Sequence, residues 1–111
     1  MKQIKLSEIV NPESKVLSGR PEGNKARNHF ALNLKDKDQN SYIVIIPENI
    51  RTFSTSYFLG LFSESIKDLK EINFRKKYIF HSETGELKKG VKKDIEEGIE
   101  WALEDEDILN S

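Results

Sequence analysis

The sequence predicts a small α/β fold, in which a mostly parallel or mixed β-sheet is covered by about three helices. A β-branched run at residues 42–46, followed by Pro47, is typical of a buried strand. Amphipathic stretches at helical spacing lie on both sides of this run. The chain has 111 residues, of which 36% are hydrophobic, and this suits one core. We therefore expect residues 1–111 to form a single domain.

Composition and charge exclude several classes of protein. The chain has no cysteine, which excludes disulfide scaffolds, thiol nucleophiles and cysteine-based zinc sites. The longest apolar run has five residues, and the first five residues lack the apolar stretch of a secretory signal. A net charge of −1 gives no general attraction to nucleic acid or to an anionic membrane. We expect a cytoplasmic protein that binds neither.

The charge is unevenly distributed along the chain. Eight acidic residues and no basic ones occur from Asp94 onward, whereas residues 1–93 hold eighteen basic and eleven acidic residues. This polarity is typical of a solvated acidic helix end, and protein contacts are the alternative interpretation.

The first third of the chain predicts two short strands and a helix. Residues 3–6 alternate polar and apolar side chains, residues 11–14 form a turn, and residues 16–17 predict a second strand. A helix begins near Pro21, because proline suits the first helical position and Glu22 suits the positive end of the helix dipole. The helix should bury a stripe formed by Ala26, Phe30, Ala31 and Leu34.

The centre of the chain predicts a polar loop, a central strand and a second helix. Residues 35–41 are the polar loop, and residues 42–46 should be buried on both faces. Ser54 is the expected N-cap of the next helix, and Phe53 and Phe58 occupy the positions of a hydrophobic staple. Gly60 indicates close approach of another backbone. The buried face of this helix should contain Phe58, Phe62, Ile66 and Leu69.

The last third predicts one more strand and a final helix. Residues 78–80 form the strand, Thr84 and Gly85 form a turn, and residues 91–103 form the helix. Lysines crowd the start of this helix and carboxylates its end, which is unfavourable for the helix dipole. Packing must therefore stabilise the helix through its apolar stripe of Val91, Ile95, Ile99, Ala102 and Leu103, with Trp101 beside it.

Most of the familiar catalytic motifs are absent from the sequence. It has no Gly-rich phosphate loop, no His-Glu-x-x-His helix and no nucleophile elbow. His81 could pair with a serine of residues 54–56, but no third orienting group is evident, and His29 has no ligand spacing around it. The basic cluster Arg75, Lys76 and Lys77 and the lysines of residues 88–93 favour a solvated surface over a phosphate site. We expect neither an enzyme, nor a metal site, nor a cofactor.

The hydroxyl residues 54–56 are the most distinctive feature of the sequence. A phosphate added at a helix N-terminus would lie beside unpaired N–H groups and the positive end of the dipole. Its charge of nearly −2 would alter any contact made by this surface. The segment therefore suits a phosphorylation switch.

Residues 44–59 resemble the strand–loop–helix segment of STAS domains, the fold of bacterial anti-sigma factor antagonists. Residues 17–23, followed by Ala26 and Arg27, are similar to the STAS-like domain family of uncharacterised function. The resemblance covers about residues 15–70.

The resemblance implies a phosphoacceptor at Thr55, with Ser56 as the neighbouring candidate, and a protein partner of the histidine-kinase-like ATPase class. STAS antagonists usually have Asp before the acceptor and Gly soon after it, where this chain has Ser54 and Tyr57.

Three hypotheses about function follow. In the first, a non-enzymatic regulatory module docks a protein through Ser54, Tyr57, Arg51 and Arg20 around the acceptor. In the second, a small ligand or nucleotide binds the same helix N-terminus as an anion, near Arg20, Arg27 and Arg51. In the third, the acidic C-terminal helix is the contact surface.

Overall fold

Parallel strands alternate with helices along most of the chain, and this confirms the α/β class. The computed structural model describes the backbone of residues 1–110 and the side chains of residues 1–104. Within these residues the elements are β1 (Lys2–Lys5), β2 (Val16–Leu17), α1 (Arg20–His29), α2 (Leu32–Lys35), β3 (Tyr42–Ile46), β4 (Thr52–Phe53), α3 (Thr55–Lys77), β5 (Tyr78–Ser82) and α4 (Lys89–Asn110). A 3₁₀ turn, Leu6–Glu8, follows β1, so Leu6 is buried as part of this turn and not of a strand.

The strands form two sheets where the sequence predicted one. The larger sheet has the order β1-β3-β5 and is parallel throughout, with Val44 of β3 opposite Ile4 on one side and Phe80 on the other. The smaller sheet pairs β2 with β4, also in parallel. Its main-chain bonds include Ser54 N–H to the Leu17 carbonyl at 2.8 Å. Strands β2 and β4 have only two residues each, so this second sheet is a short two-stranded ribbon.

Strand β3 is central, as predicted, but only one of its faces is fully buried. Tyr42, Val44 and Ile46 are buried, whereas Ile43 and Ile45 are half-buried. In parallel pairing, residues opposite one another share a face. The row through Ile45 therefore continues to the exposed Lys5 and His81 of the edge strands, and the prediction of burial on both faces is wrong.

The first predicted helix is divided into two. Helix α1 ends at His29, and Ala31 has a left-handed φ of 52°, which reverses the chain before α2. Ala26 and Phe30 are buried as predicted, but Leu34 is 73% exposed and Leu32 is fully buried instead. Ala31 is also exposed. The predicted stripe is wrong in this part because a continuous helical period does not extend across the reversal.

Helices α1 and α3 run side by side in the same direction at very close range. A Cβ atom on Gly60 would lie 2.3 Å from the Arg20 carbonyl oxygen, and one on Gly23 would lie 2.2 Å from the Tyr57 carbonyl oxygen. Two facing glycines therefore let the backbones touch, as predicted from Gly60. The packing continues to Arg27, whose guanidinium reaches the Leu61 carbonyl.

Helix α3 supplies four of the eight buried aromatic side chains among the described residues. Phe58, Phe62 and Ile66 are fully buried, and Leu69 packs at the edge of the core. The Phe62 ring lies 5.2 Å from the Phe74 ring and 5.1 Å from the Tyr78 ring, as measured between centroids. The helix is kinked at Lys70, where φ is 69°. Its last turns lead directly into β5.

Helix α4 is docked against α3, as its unfavourable charge order predicted. Four residues of its stripe are buried and Leu103 is half-buried, whereas Trp101 is 53% exposed; the buried four are Val91, Ile95, Ile99 and Ala102. The Asp94 carboxylate accepts the Phe53 N–H at 2.9 Å. The side chains of the acidic residues 105–107 lie outside the described residues.

Candidate functional site

The start of α3 has the local structure that its sequence predicts. Ser54 is the N-cap, and its Oγ accepts the Tyr57 N–H at 3.1 Å. The Phe53 and Phe58 rings lie 5.7 Å apart, which completes the hydrophobic staple. The entry of the chain into α3 is thus fixed on both its polar and its apolar side.

The hydroxyl residues connect the N-termini of two helices. Ser56 is exposed, and its Oγ accepts the N–H of Gly19, the N-cap residue of α1, at 3.3 Å. The Ser54 and Ser56 oxygens are 3.1 Å apart. Thr55 is half-buried at the first position of α3. Both predicted acceptors are therefore reachable from solvent, and Ser56 is the more accessible.

The two surface arginines of the predicted site lie on the segments that flank it. Arg20 is exposed at the first position of α1, next to Gly19. Arg51 is also exposed, and its N–H binds the Lys15 carbonyl at 2.8 Å. Both belong to the end of the molecule at which α1 and α3 begin.

Tyr57 lies below the surface, with only 3% of its area exposed. Its ring is edge-on to Phe53, with centroids 5.5 Å apart. Burial, followed by the negative charge of Glu22, raises the pKa of Tyr57 to about 12. The phenol is therefore neutral at physiological pH, and a partner could contact it only through the groove that it lines.

This groove has a volume of about 480 Å³ and lies between the segment after β1, strand β2 and helix α1. We call it the Tyr57 groove. Its lining comprises Ile9, Val10, Asn11, Ser14, Val16, Leu17, Ser18, Glu22, Lys25, His29 and Tyr57. The sequence did not indicate the groove, because its walls come from four separate segments.

Arg27 is not available to an anion at the helix N-terminus. It is 6% exposed and makes a 2.7 Å ion pair with Asp36. The same guanidinium donates to Ser65 Oγ at 2.8 Å and to the Leu61 carbonyl at 2.9 Å. The second hypothesis therefore loses one of its three arginines, because this one stabilises the packing of α1 on α3.

Asp36 is the acceptor at the centre of this buried network, although the sequence placed it in a polar loop. Its carboxylate also accepts the hydroxyls of Ser65 at 2.7 Å and Tyr78 at 2.6 Å. Burial, and then the hydrogen bond and charge of Asp36, raise the pKa of Tyr78. No buried side-chain nitrogen or oxygen in the described part of the chain lacks a partner, so the network is fully satisfied and suited to a structural role.

A second polar cluster fixes the loop before β3. Lys77 donates to the Asp38 carboxylate at 2.8 Å and to the Asn40 carbonyl at 2.8 Å, and Tyr42 donates to Asp38. Burial alone would raise the pKa of Asp38, but the hydrogen bonds from Lys77, Tyr42 and Asn40 hold it well below its usual range. Lys77 is thus buried and paired, whereas the sequence predicted a solvated side chain. In the same basic cluster, Arg75 pairs with Glu96 at 2.9 Å.

The two histidines lie on different elements, α1 and β5. His29 pairs with Glu8 at 3.0 Å on the rim of the Tyr57 groove, and His81 is exposed on β5. Among residues 1–104 no group of three or more acidic or histidine side chains could hold a metal ion. No helix in the described part of the chain combines the length and apolarity needed to cross a membrane.

Comparisons with protein-family models, curated proteins and solved structures find no match to this chain.

Proposed function

We propose that this protein is a cytoplasmic, non-enzymatic interaction module that docks a protein partner where helices α1 and α3 begin. The observation that carries the proposal is the accessible hydroxyl of Ser56, which joins the two helix N-termini through its bond to Gly19 N–H. Half-buried Thr55 and the exposed Arg20 and Arg51 extend this surface. The resemblance of residues 44–59 to anti-sigma factor antagonists supports the same interpretation.

The chemistry of this surface suits control by phosphorylation. A phosphate on Ser56 would add a charge of nearly −2 beside the positive ends of two helix dipoles. Its oxygens would also be new acceptors for the Gly19 N–H, which donates to the hydroxyl when Ser56 is unmodified. A phosphate on Thr55 would act at the first turn of α3 in the same way. Either modification would change the shape and charge that a partner meets.

The resemblance favours a histidine-kinase-like ATPase as the partner. In such a complex the partner would contact the hydroxyl surface when it is unmodified, and would be released or rearranged by the added charge. Ser54 would act indirectly, because its hydroxyl is used as the helix cap. Tyr57 would support the surface from below.

Affinity capture with wild type and with the variants Thr55→Glu and Ser56→Glu tests the proposal. We expect at least one substitution to change the captured set. Asn73→Glu is the matched control, because it adds the same charge to an exposed position of α3 away from its N-terminus. Identical sets from all four proteins would contradict docking at this surface.

A thermal-shift assay with a nucleotide panel separates this function from the second hypothesis. Binding to the native state raises stability in a saturable manner. Saturable stabilisation that is lost on substitution of Arg20 and Arg51 would favour an anion site at the same helix N-terminus.

A further inference from the structure

The Tyr57 groove has the size of a small-molecule site, and Tyr57 and four aliphatic side chains are among the residues that line it. Its volume of about 480 Å³ falls within the range usual for ligand pockets. Two of the apolar side chains that line it are exposed to solvent, Ile9 at 37% and Val16 at 46%. A ligand that covered them would remove apolar surface from water.

The hydroxyl of Tyr57 gives this groove a specific polar anchor. The side chain is 97% buried, yet no residue among 1–104 hydrogen-bonds to its oxygen. The oxygen is not sealed in the core, because the core contains no buried side-chain oxygen without a partner in this part of the chain. Tyr57 lines the groove, and so does Glu22. Burial and then the charge of Glu22 raise the pKa of the Tyr57 hydroxyl, and this effect of Glu22 indicates that the hydroxyl faces the groove. A neutral phenol in this position donates a hydrogen bond to an acceptor oxygen.

The charges around the groove indicate an uncharged ligand. Glu22 and Lys25 are paired with each other at 3.1 Å, and His29 is paired with Glu8 at 3.0 Å. Each of these side chains has a partner of opposite or complementary polarity, so none presents an uncompensated charge to a ligand. The remaining polar groups on the rim are neutral hydroxyls and an amide, from Ser14, Ser18 and Asn11.

We infer that the Tyr57 groove binds an uncharged, mainly apolar small molecule, whose carbonyl or amide oxygen accepts the hydrogen of the Tyr57 hydroxyl. The groove adjoins the two helix N-termini, because Glu22 and Tyr57 lie in the first turns of α1 and α3, but the inference does not depend on the docking of a protein partner.

The test is a titration followed by two-dimensional ¹H–¹⁵N NMR. The probe is N-benzylacetamide, which has an aromatic body and an amide oxygen. The comparison probes 3-phenylpropionate and 2-phenylethylamine present a similar body with a negative or a positive charge. We expect N-benzylacetamide to shift the amide signals of Val16, Leu17, Ser18 and Tyr57 saturably, with the low-millimolar affinity usual for a fragment of this size. The charged probes should bind more weakly.

Three variants connect the binding to the groove. Tyr57→Phe keeps the ring and removes the hydroxyl, so we expect about a three- to tenfold loss of affinity. Val16→Trp should abolish binding by filling the groove, whereas Leu34→Trp, a change at an exposed site outside the groove, should leave it unchanged. The spectrum of each free variant establishes that it is folded.

Several results would overturn the inference. These are the absence of saturable shifts with N-benzylacetamide, shifts outside the groove, or tighter binding of either charged probe. Unchanged affinity in a folded Tyr57→Phe variant would also overturn it, because the hydroxyl is its polar anchor. If Tyr57→Phe does not fold, Val16→Trp and the charge series still decide the matter.

Discussion

Replacing Arg27 by methionine tests the buried network that holds α1 against α3. The change keeps an unbranched side chain of similar length and removes the guanidinium. It leaves the Asp36 carboxylate buried, and among residues 1–104 only the Ser65 and Tyr78 hydroxyls remain as donors to it. It also removes the donor to the Leu61 carbonyl. Helix α1 should then lose much of its attachment to the rest of the fold.

The size of the effect follows from burial. The side chains of Arg27 and Asp36 are 6% and 1% exposed, so their 2.7 Å pair is almost fully shielded from water. Removing one member of a buried ion pair costs about 3–5 kcal/mol, chiefly because the other charge is left uncompensated. A domain of this size has a total stability of about 5–15 kcal/mol. We therefore expect Arg27→Met to lose a large fraction of the free energy of unfolding.

Urea denaturation followed by circular dichroism measures this loss. Lys25→Met is the matched control, because it also removes a cation from α1. The 3.1 Å pair that Lys25 makes with Glu22 is largely exposed. The control should cost at most about 1 kcal/mol. Adding Asp36→Leu to Arg27→Met should cost much less than Asp36→Leu alone, since the two groups act as one unit. A loss below about 1 kcal/mol for Arg27→Met would refute the assignment of a structural role.

Three further predictions concern packing and pH. Gly60→Ala would place a Cβ atom 2.3 Å from the Arg20 carbonyl oxygen, so urea denaturation should show a loss of about 1–3 kcal/mol. Gly90→Ala, where the nearest atom is at 3.7 Å, should be neutral or slightly stabilising. The pKa of Asp38 is lowered in the folded protein. The ionised carboxylate of Asp38 therefore stabilises the fold at pH values above its unfolded pKa, and this stabilisation is lost as the pH falls. Asp38→Asn should therefore be less stable than wild type at pH 7, and the difference in urea midpoint should narrow below about pH 4. The pKa of Tyr57 is raised to about 12 in the folded protein. The neutral phenol therefore contributes fully to the free energy of unfolding below about pH 10, and this contribution is lost as the pH rises. Between about pH 9 and about pH 11, the free energy of unfolding of wild type should fall by on the order of 1 kcal/mol more than that of Tyr57→Phe. Equal decreases in the two proteins would argue against the raised pKa.

Features that depend on neighbouring residues could be predicted from the sequence. The cap formed by Ser54 and the staple formed by Phe53 and Phe58 need only one turn of chain, so the residue types themselves specify them. The β-branched composition of β3 likewise predicted its central position. The close approach at Gly60 was also predicted, because glycine in an apolar helix is unfavourable without a packing reason.

Features that depend on distant residues could not be predicted in this way. Asp36 belongs to a polar stretch of sequence that predicts a loop. Only the change of chain direction at Ala31 brings it to Arg27 and Ser65. The Tyr57 groove is also assembled from separate segments, none of which has a ligand motif. The sequence alone determined the α/β class, the capped start of α3 and its accessible hydroxyls, because hydrogen bonding and periodicity over a few residues specify them. The tertiary structure decided which charges are buried together and where a cavity opens, because those depend on how the helices pack in three dimensions.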